Sequence, residues 1–530
     1  MGGGLIQLIA YGAQDVYLTG NPQITFWKIV YRRCTNFSME SIEQTFSGVA
    51  DFGSKVECNI ARKGDLIGKM YLVADLPALA VQVSGSAAGT TSGTVRLTFN
   101  YTNLTAGMQS RSGTNNQPDY SAAWTEHVGH ALIDEVTVSI GGQEIDKHYG
   151  LWLEIWNDLT QTAEKEYGYD KMIGEAKRED LPFNAVEKRT LHIPLQFWFN
   201  RNPGLAIPLI ALQYHDVNIS LKLRDFDSLA IVVYNKGNTT SIGNAQGIRI
   251  QHQNAKNKIN PSTYVNIVPG DEREAKLSNC QLWVDYVYLD TDERRRFAQK
   301  NHEYLIDQLQ FTATEEIPFV NDVSNHTYNL GYNHPVKELI WVVRDENYRA
   351  VKGIGEKNGW FNFGYNTYSA TPSGDASTDT YIAPTLYSAD APEGTRGTVA
   401  NGRSSDWLAN TYTTKFILNG HDRLAPRPSS YYRLVQPYQH HTKVPDGHVY
   451  NYSFSIKPEE HQPSGTLNFS RIDSSEMVYS IIGPPSAPTG KDGGMAGNNS
   501  LEVGLTLHVF ARNYNVLRVT SGMGGLAFAN

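Results

Sequence analysis

Histidines and carboxylates crowd one stretch of this sequence: His421-Asp422, His440-His441, His448 and Glu459-Glu460-His461. These are the side chains that zinc or iron would take as ligands. Their spacing argues otherwise. Adjacent His440 and His441 point to opposite faces if they lie on a strand, and no H-x-x-x-H or H-E-x-x-H pattern sets two imidazoles on one helix face. The segment reads better as polar packing at a domain or subunit contact, and no metal site is expected.

The other candidate chemistries are weaker. Carboxylate neighbours such as Asp134-Glu135 and Asp345-Glu346 diverge on a strand, whereas retaining glycoside hydrolysis needs two carboxyl groups about 5 Å apart. No G-x-S-x-G elbow occurs, and Cys34, Cys58 and Cys280 have no histidine partner signature. The glycines of Ser521-Gly522-Met523-Gly524-Gly525 resemble a phosphate cradle, but no Lys-Ser/Thr follows. Arg294-Arg295-Arg296 would suit an acidic partner or a solvated helix turn. Trp360, Phe361 and Phe363, followed by Tyr365 and Tyr368, could stack on sugars or pin down a loop. No catalytic residue and no cofactor is expected, which points away from an enzyme.

The elements that must position these residues are strands. Val217, Ile219, Leu221 and Leu223 alternate with Asn218, Ser220 and Lys222, the period of a sheet with one wet face. A buried strand near 195 and a proline-cornered loop are expected just before them. The alternation returns at Val136, Val138 and Ile140; at Tyr450, Tyr452, Phe454 and Ile456; and at Val503, Leu505, Leu507 and Val509. Val136–Ile145 reads as a hairpin turning at Gly141-Gly142. Helices are expected at 150–180, where Trp152, Ile155, Trp156 and Leu159 share one face, and after Asp290, whose spacing to Glu293 suits a capping box.

With 530 residues, two domains are the expectation. Residues 1–25, rich in glycine and broken by Gly20-Asn21-Pro22, read as an extended arm. A first β domain follows over 26–225, then a polar linker at 226–262, then a second β domain over 263–530 whose opening strand is Cys280–Leu289. Each β block carries a long polar insertion, 84–124 and 351–410, and this parallel suggests two similar domains in tandem. The net charge of −8 and the lack of a basic tail argue against direct genome packaging as the expected role. Three cysteines without metal spacing suit reduced thiols. The apolar runs are too short to span a bilayer, and the start has no secretory leader, so a soluble cytosolic product is expected.

One further pattern runs the length of the chain. Tyr11-Gly12-Ala13-Gln14-Asp15-Val16-Tyr17-Leu18-Thr19-Gly20-Asn21-Pro22-Gln23-Ile24-Thr25-Phe26, followed by Val30-Tyr31-Arg32-Arg33, resembles the N-terminus of major capsid proteins of large nucleocytoplasmic DNA viruses, most strongly those of phycodnaviruses and mimivirus relatives. The resemblance continues at Leu209-Ile210-Ala211-Leu212-Gln213-Tyr214-His215, at Tyr288-Leu289-Asp290-Thr291-Asp292-Glu293-Arg294-Arg295-Arg296-Phe297 and at His334-Pro335-Val336-Lys337-Glu338-Leu339-Ile340-Trp341. It returns at Leu418-Asn419-Gly420-His421-Asp422-Arg423, Gln436-Pro437-Tyr438-Gln439-His440-His441 and Lys457-Pro458-Glu459-Glu460-His461-Gln462-Pro463-Ser464-Gly465. Asn513-Tyr514-Asn515-Val516-Leu517-Arg518 with Ser521–Gly525 closes it. The insertions 84–124 and 351–410 carry none of these motifs.

The resemblance implies an all-β protein of two tandem eight-stranded jelly rolls, with long surface loops and a few short helices. It implies a homotrimeric, pseudo-hexagonal capsomer that tiles the icosahedral shell of a large double-stranded DNA virus, assembled in the host cytoplasm and located in the virion. The implied partners are further copies of the chain, neighbouring capsomers, minor capsid proteins, a penton protein and the inner viral membrane near the N-terminal arm, with glycans on outer loops and no direct nucleic acid. The alternatives are a jelly-roll carbohydrate-binding protein or enzyme, using the Trp360 cluster, and a minor capsid paralogue.

Overall fold

The computed structural model describes residues 9–10, 12–22, 34–85, 119–125, 127–174, 188–235, 248–252, 263–269, 276–317, 323–345, 360–361, 363, 411–445, 447–482 and 505–528. Its frame is one strand plan used twice. The first roll consists of β1 (Phe37–Gln44), β2 (Lys55–Asn59), β3 (Leu66–Leu76), β4 (Ile133–Ile140), β5 (Gln143–Tyr149), β6 (Arg189–Pro194), β7 (Val217–Leu223) and β8 (Cys280–Leu289). These pair antiparallel in two sheets, β1-β8-β3-β6 and β2-β7-β4-β5.

The second roll consists of β9 (His302–Ile317), β10 (Val323–Asn329), β11 (Pro335–Asp345), β12 (Thr411–Leu418), β13 (His421–Asp422), β14 (Val449–Ser453), β15 (Ser475–Ile482) and β16 (Leu505–Thr520). Its sheets run β9-β16-β11-β14 and β10-β15-β12-β13. In both rolls the first strand lies beside the eighth and the second beside the seventh, the order of a jelly roll.

Period-two patterning builds these sheets. In β7 the buried residues are Val217, Ile219, Leu221 and Leu223, and the intervening polar ones face outward. β4 and β5 form the expected hairpin. Gly141 and Gly142 take φ of 60° and 83°, the left-handed pair a tight two-residue turn demands. A side chain at Gly141 would also collide with the His215 ring.

Several expectations need correction. Cys280–Leu289 does not open the second domain. It is the eighth strand of the first roll, pairing Trp283 with Tyr71 on β3 and with Glu43 on β1. Residues 226–262 are not a plain linker either, since Ala230–Asn235 pairs with Ile248–His252 and with Asp119–Trp124. Leu79–Gly85 likewise pairs with Thr263–Pro269. The insertion between the third and fourth strands thus pairs with the one between the seventh and eighth. Polar composition marked 84–124 as a loop and 226–262 as a linker, and it hid short β-branched runs such as Ile231-Val232-Val233 that pair as strands.

Near 195 the chain forms the short helix Trp198–Arg201, not a strand. Asn202 caps the next turn by accepting from the Gly204 N–H at 2.9 Å. The alternation at Tyr450 and Tyr452 ends with β14 at Ser453, and Ile456 is exposed. In the arm, Val16–Thr19 makes one helical turn.

The expected helices form. α1 (Gly150–Thr160) and α2 (Ala163–Ile173) lie between β5 and β6, and α3 (Thr291–Gln299) joins the rolls. The Asp290 carboxylate accepts from the Glu293 N–H at 3.0 Å and caps α3. No helix among the described residues is long and apolar enough to cross a membrane.

Candidate functional site: the charged joint between the rolls

The two rolls meet over α1. Trp152, Ile155 and Trp156 pack on Ile340, Val342, Val449 and Phe510, which lie on the outer face of the second roll's β9-β16-β11-β14 sheet. Alternation on β11 explains the geometry: Leu339, Trp341 and Val343 enter the second roll's core, so Ile340 and Val342 face the first roll.

Buried charge closes the edge of this contact. Asp307 on β9 receives Arg512 of β16 at 3.1 Å, Lys337 of β11 at 3.4 Å and, from the first roll, Arg201 at 3.4 Å. Arg512 also reaches Glu338 at 2.6 Å. His441 sits between two carboxylates, 2.9 Å from Glu338 through Nε2 and 2.9 Å from Glu459 through Nδ1. The Arg512 and Arg201 guanidiniums stack on the ring of Trp156 at 4.1 and 5.0 Å.

Each cation therefore touches at least one anion, which is what burial of charge requires. Burial raises the Asp307 and Glu338 carboxyls, but their cationic neighbours outweigh it and hold both below the usual range. Burial would lower the His441 imidazole, yet Glu338 and Glu459 push it up to about 9. Burial and the neighbouring Arg512 bring Lys337 down to about 8 despite Asp307.

A second polar cluster anchors α1 from inside the first roll. Glu154 on α1 bonds His127 and, at 2.6 Å, Nδ1 of His130, whose Nε2 is 3.0 Å from the Tyr169 hydroxyl on α2. Burial again opposes ionisation of Glu154, and the two imidazoles overcome it. The sequence signal that would have found this was a lone glutamate within the apolar run Leu151–Trp156.

The histidine-rich stretch is dispersed in the fold. His441 and Glu459 meet, joined by the remote Glu338. His421 and Asp422 lie on exposed β13, where Asp422 pairs with Lys415 at 3.1 Å. His440 faces the carbonyl of Ile456 at 2.9 Å. His448 is buried and lowered to about 3 by desolvation and Arg433. Glu460 pairs with Lys457 at 2.8 Å. Among the described residues no group of three or more histidines, cysteines or acids is arranged for a metal, and both nitrogens of His441 already face carboxylates.

Other candidates serve packing. Asp134 pairs with Lys222 at 2.8 Å and Arg224 at 3.2 Å, and Glu135 with Lys147 at 2.8 Å. Ser521-Gly522 is the turn of a hairpin between β16 and Met523–Leu526. Arg294 spans to Asp65 of the first roll at 3.0 Å, and Arg296 pairs with Glu293 at 3.0 Å. Cys34, Cys58 and Cys280 are free thiols, and burial pushes Cys58 up to about 11.

Trp360 is an anchor rather than a sugar platform. It is 1% exposed within the first roll's core, donates its indole N–H to Ser228 O at 2.8 Å, and lies 4.0 Å beneath the Arg224 guanidinium. Phe363 is buried as well. Trp360 pins the second roll's long insertion to the first roll, Phe363 joins the apolar cluster where the rolls meet, and neither presents a face to a sugar. Tyr365, Tyr368 and Glu346 lie outside the described residues.

Two family models divide the chain where the first roll ends. Residues 25–290 match the major capsid protein N-terminus, and residues 293–525 match the large eukaryotic DNA virus major capsid protein. The chain belongs to this capsid protein family. The major capsid protein of Pyramimonas orientalis virus is 40% identical over 556 residues, and that of Paramecium bursaria Chlorella virus 1 is 38% identical over 537, each covering 100% of both chains.

The crystal structure of PBCV-1 VP54 superposes with a TM-score of 0.63 at 30% identity, over 96% of this chain and 100% of that one. The Faustovirus major capsid protein shares the fold, with a TM-score of 0.61 at 15% identity and 96% and 94% coverage. This capsid protein is thus a double jelly roll and a structural component of the shell of a large DNA virus. The stretch 421–461 lies within the second match, and its His441 and Glu459 border the joint through Glu338.

Proposed function

We propose that three copies of this capsid protein form a pseudo-hexagonal capsomer that tiles an icosahedral shell, and that the role is assembly without turnover. One observation carries the reading: a single strand order occurs twice in one chain, with the two rolls locked by α1, the Asp307–Arg512–Glu338 joint and Trp360. A rigid chain with two like corners supplies six corners as a trimer. Trimer interfaces of this kind are large and obligate, and many weaker contacts between capsomers add up through multivalency.

Finer features support the proposed partners. Tyr17 and Leu18 on the arm are 91% and 83% exposed, which suits contact with a neighbouring subunit, a minor capsid protein or the membrane beneath the shell. A penton protein would be needed where six corners give way to five. The net charge of −8 disfavours direct contact with the genome. Three free thiols suit assembly in a reducing host cytoplasm. Glycans would attach to outer loops.

Native mass spectrometry of the recombinant chain tests the reading. The expected species has three times the 59.1 kDa chain mass. A stable monomer as the sole species would contradict it.

A further inference from the structure

Each roll carries a helical excursion at the same place, between its fifth and sixth strands: α1 and α2 in the first roll, the turns Tyr431–Val435 and Gln436–His440 in the second. In the first roll α1 is used on two sides. Leu153 enters its own roll's core, while Trp152 and Trp156 cover the second roll's sheet. The Trp152 and Phe510 rings stand 5.5 Å apart.

The second roll's excursion has the same two sides. Tyr432, Gln436 and Pro437 are buried against its own roll. Leu434, Val435 and Tyr438 face outward at 47%, 39% and 79% exposure, and Ile456, held to His440 through its carbonyl, is 70% exposed. Among the described residues nothing within the chain covers this patch.

A matching face is open on the first roll. In the second roll β16 sets Phe510 opposite Ile340 of β11, beneath α1. In the first roll the equivalent strands set Trp283 of β8 opposite Tyr71 of β3. Leu282 and Val284 point into the core, so Trp283 points out, stacked on Tyr71 at 6.2 Å. Register places Phe37 and Met39 of β1 on the same face, 58% and 57% exposed. Large apolar side chains clustered in this way mark a contact surface.

We propose that the Leu434–Tyr438 patch of one copy docks on the β1-β8-β3 face of a second copy, repeating between chains the contact that α1 makes within one. The two surfaces differ, so the contact is head-to-tail, and it gives the capsomer when its rotation closes into a ring after three copies. First and second rolls then alternate around that ring. The inference rests on the capsomer reading and names the surface that would hold it.

The test uses the full chain in two forms, wild type and the double variant Leu434→Asp with Tyr438→Asp, compared by native mass spectrometry with far-UV circular dichroism as a check on folding. Both positions are exposed, so the variant keeps the wild-type spectrum while its trimer-to-monomer ratio falls by more than about tenfold. Benzoylphenylalanine in place of Tyr438 is then photoactivated in the otherwise native chain, and the linked peptides are mapped. Links between chains to residues 37–44, 66–76 or 280–289 support the docking surface, and they decide the matter if the double variant misfolds. A double variant that trimerises like wild type, or links that map elsewhere, overturns the docking surface and leaves the capsomer standing. A monomeric wild type overturns both.

Discussion

The two rolls share a strand order and little of their filling. The first is packed with aliphatic side chains, Val136, Val138, Ile140, Leu191, Ile193 and Ile219 among them. The second is built around rings: Trp341, Phe416, Tyr432, Tyr450, Tyr452 and Tyr479. Trp341 alone meets Phe416, Tyr432 and Tyr450 within 6 Å. The same topology therefore accepts either packing, provided that inward positions recur every second residue.

The rolls also differ in where charge is buried. Asp307, Lys337, Glu338 and Arg512 all belong to the second roll and gather on the side facing the first. Strand order is thus specified by patterning, and the placement of one roll on the other by a few long side chains.

The largest break in this comparison is expected from Arg512→Ala. It leaves Asp307 and Glu338 buried beside a lost cation, and removing one partner of such a pair costs about 3–5 kcal/mol. Thermal unfolding should shift down and split into two transitions, one for each roll. Trp360→Ala should cost about 3 kcal/mol by opening the first roll's core, although the residue belongs to the second roll's insertion. The effect should be read as lost protection from hydrogen exchange in β7 and the Phe226–Ser228 turn. An unchanged exchange pattern would mean that the insertion is held by other means.

A smaller effect concerns pH. His441 is raised above its ordinary value near 6.5 to about 9. Its contribution is complete below the ordinary value and is lost as pH rises through about 9. Asp307 and Glu338 are lowered, so theirs is present above the ordinary carboxylate range and lost in acid. The melting temperature of wild type should fall between pH 7 and 9, and that of His441→Gln should fall less. The smallest effect sharpens the contrast between cores. Tyr432→Phe removes a buried hydroxyl that donates to Thr414 O at 2.9 Å and should cost about 1 kcal/mol by denaturant titration, with the second roll's fold unchanged.

Local features were legible in the sequence. The alternation of β7, the Gly141-Gly142 turn, the Trp152–Leu159 face of α1 and the Asp290 cap all follow from residues within one element. The family could be recognised from ordered motifs that run from Tyr11 to Gly525. Non-local pairing was not legible. Cys280–Leu289 follows a polar stretch, and composition alone cannot tell that it returns to lie between Phe37–Gln44 and Leu66–Leu76. Arg201 and Arg512, far apart in the sequence, bind one carboxylate, and nothing near either predicts it. Trp360 read equally as a sugar platform and as an anchor, because only its burial separates the two.

The central claim is that the joint makes two rolls one body. Differential scanning calorimetry of the wild-type chain, set beside Arg512→Ala, tests it most directly. A single cooperative transition in wild type that divides in the variant is the predicted result. Two transitions already present in wild type, unmoved by the substitution, would show that the rolls are independent and would contradict the account.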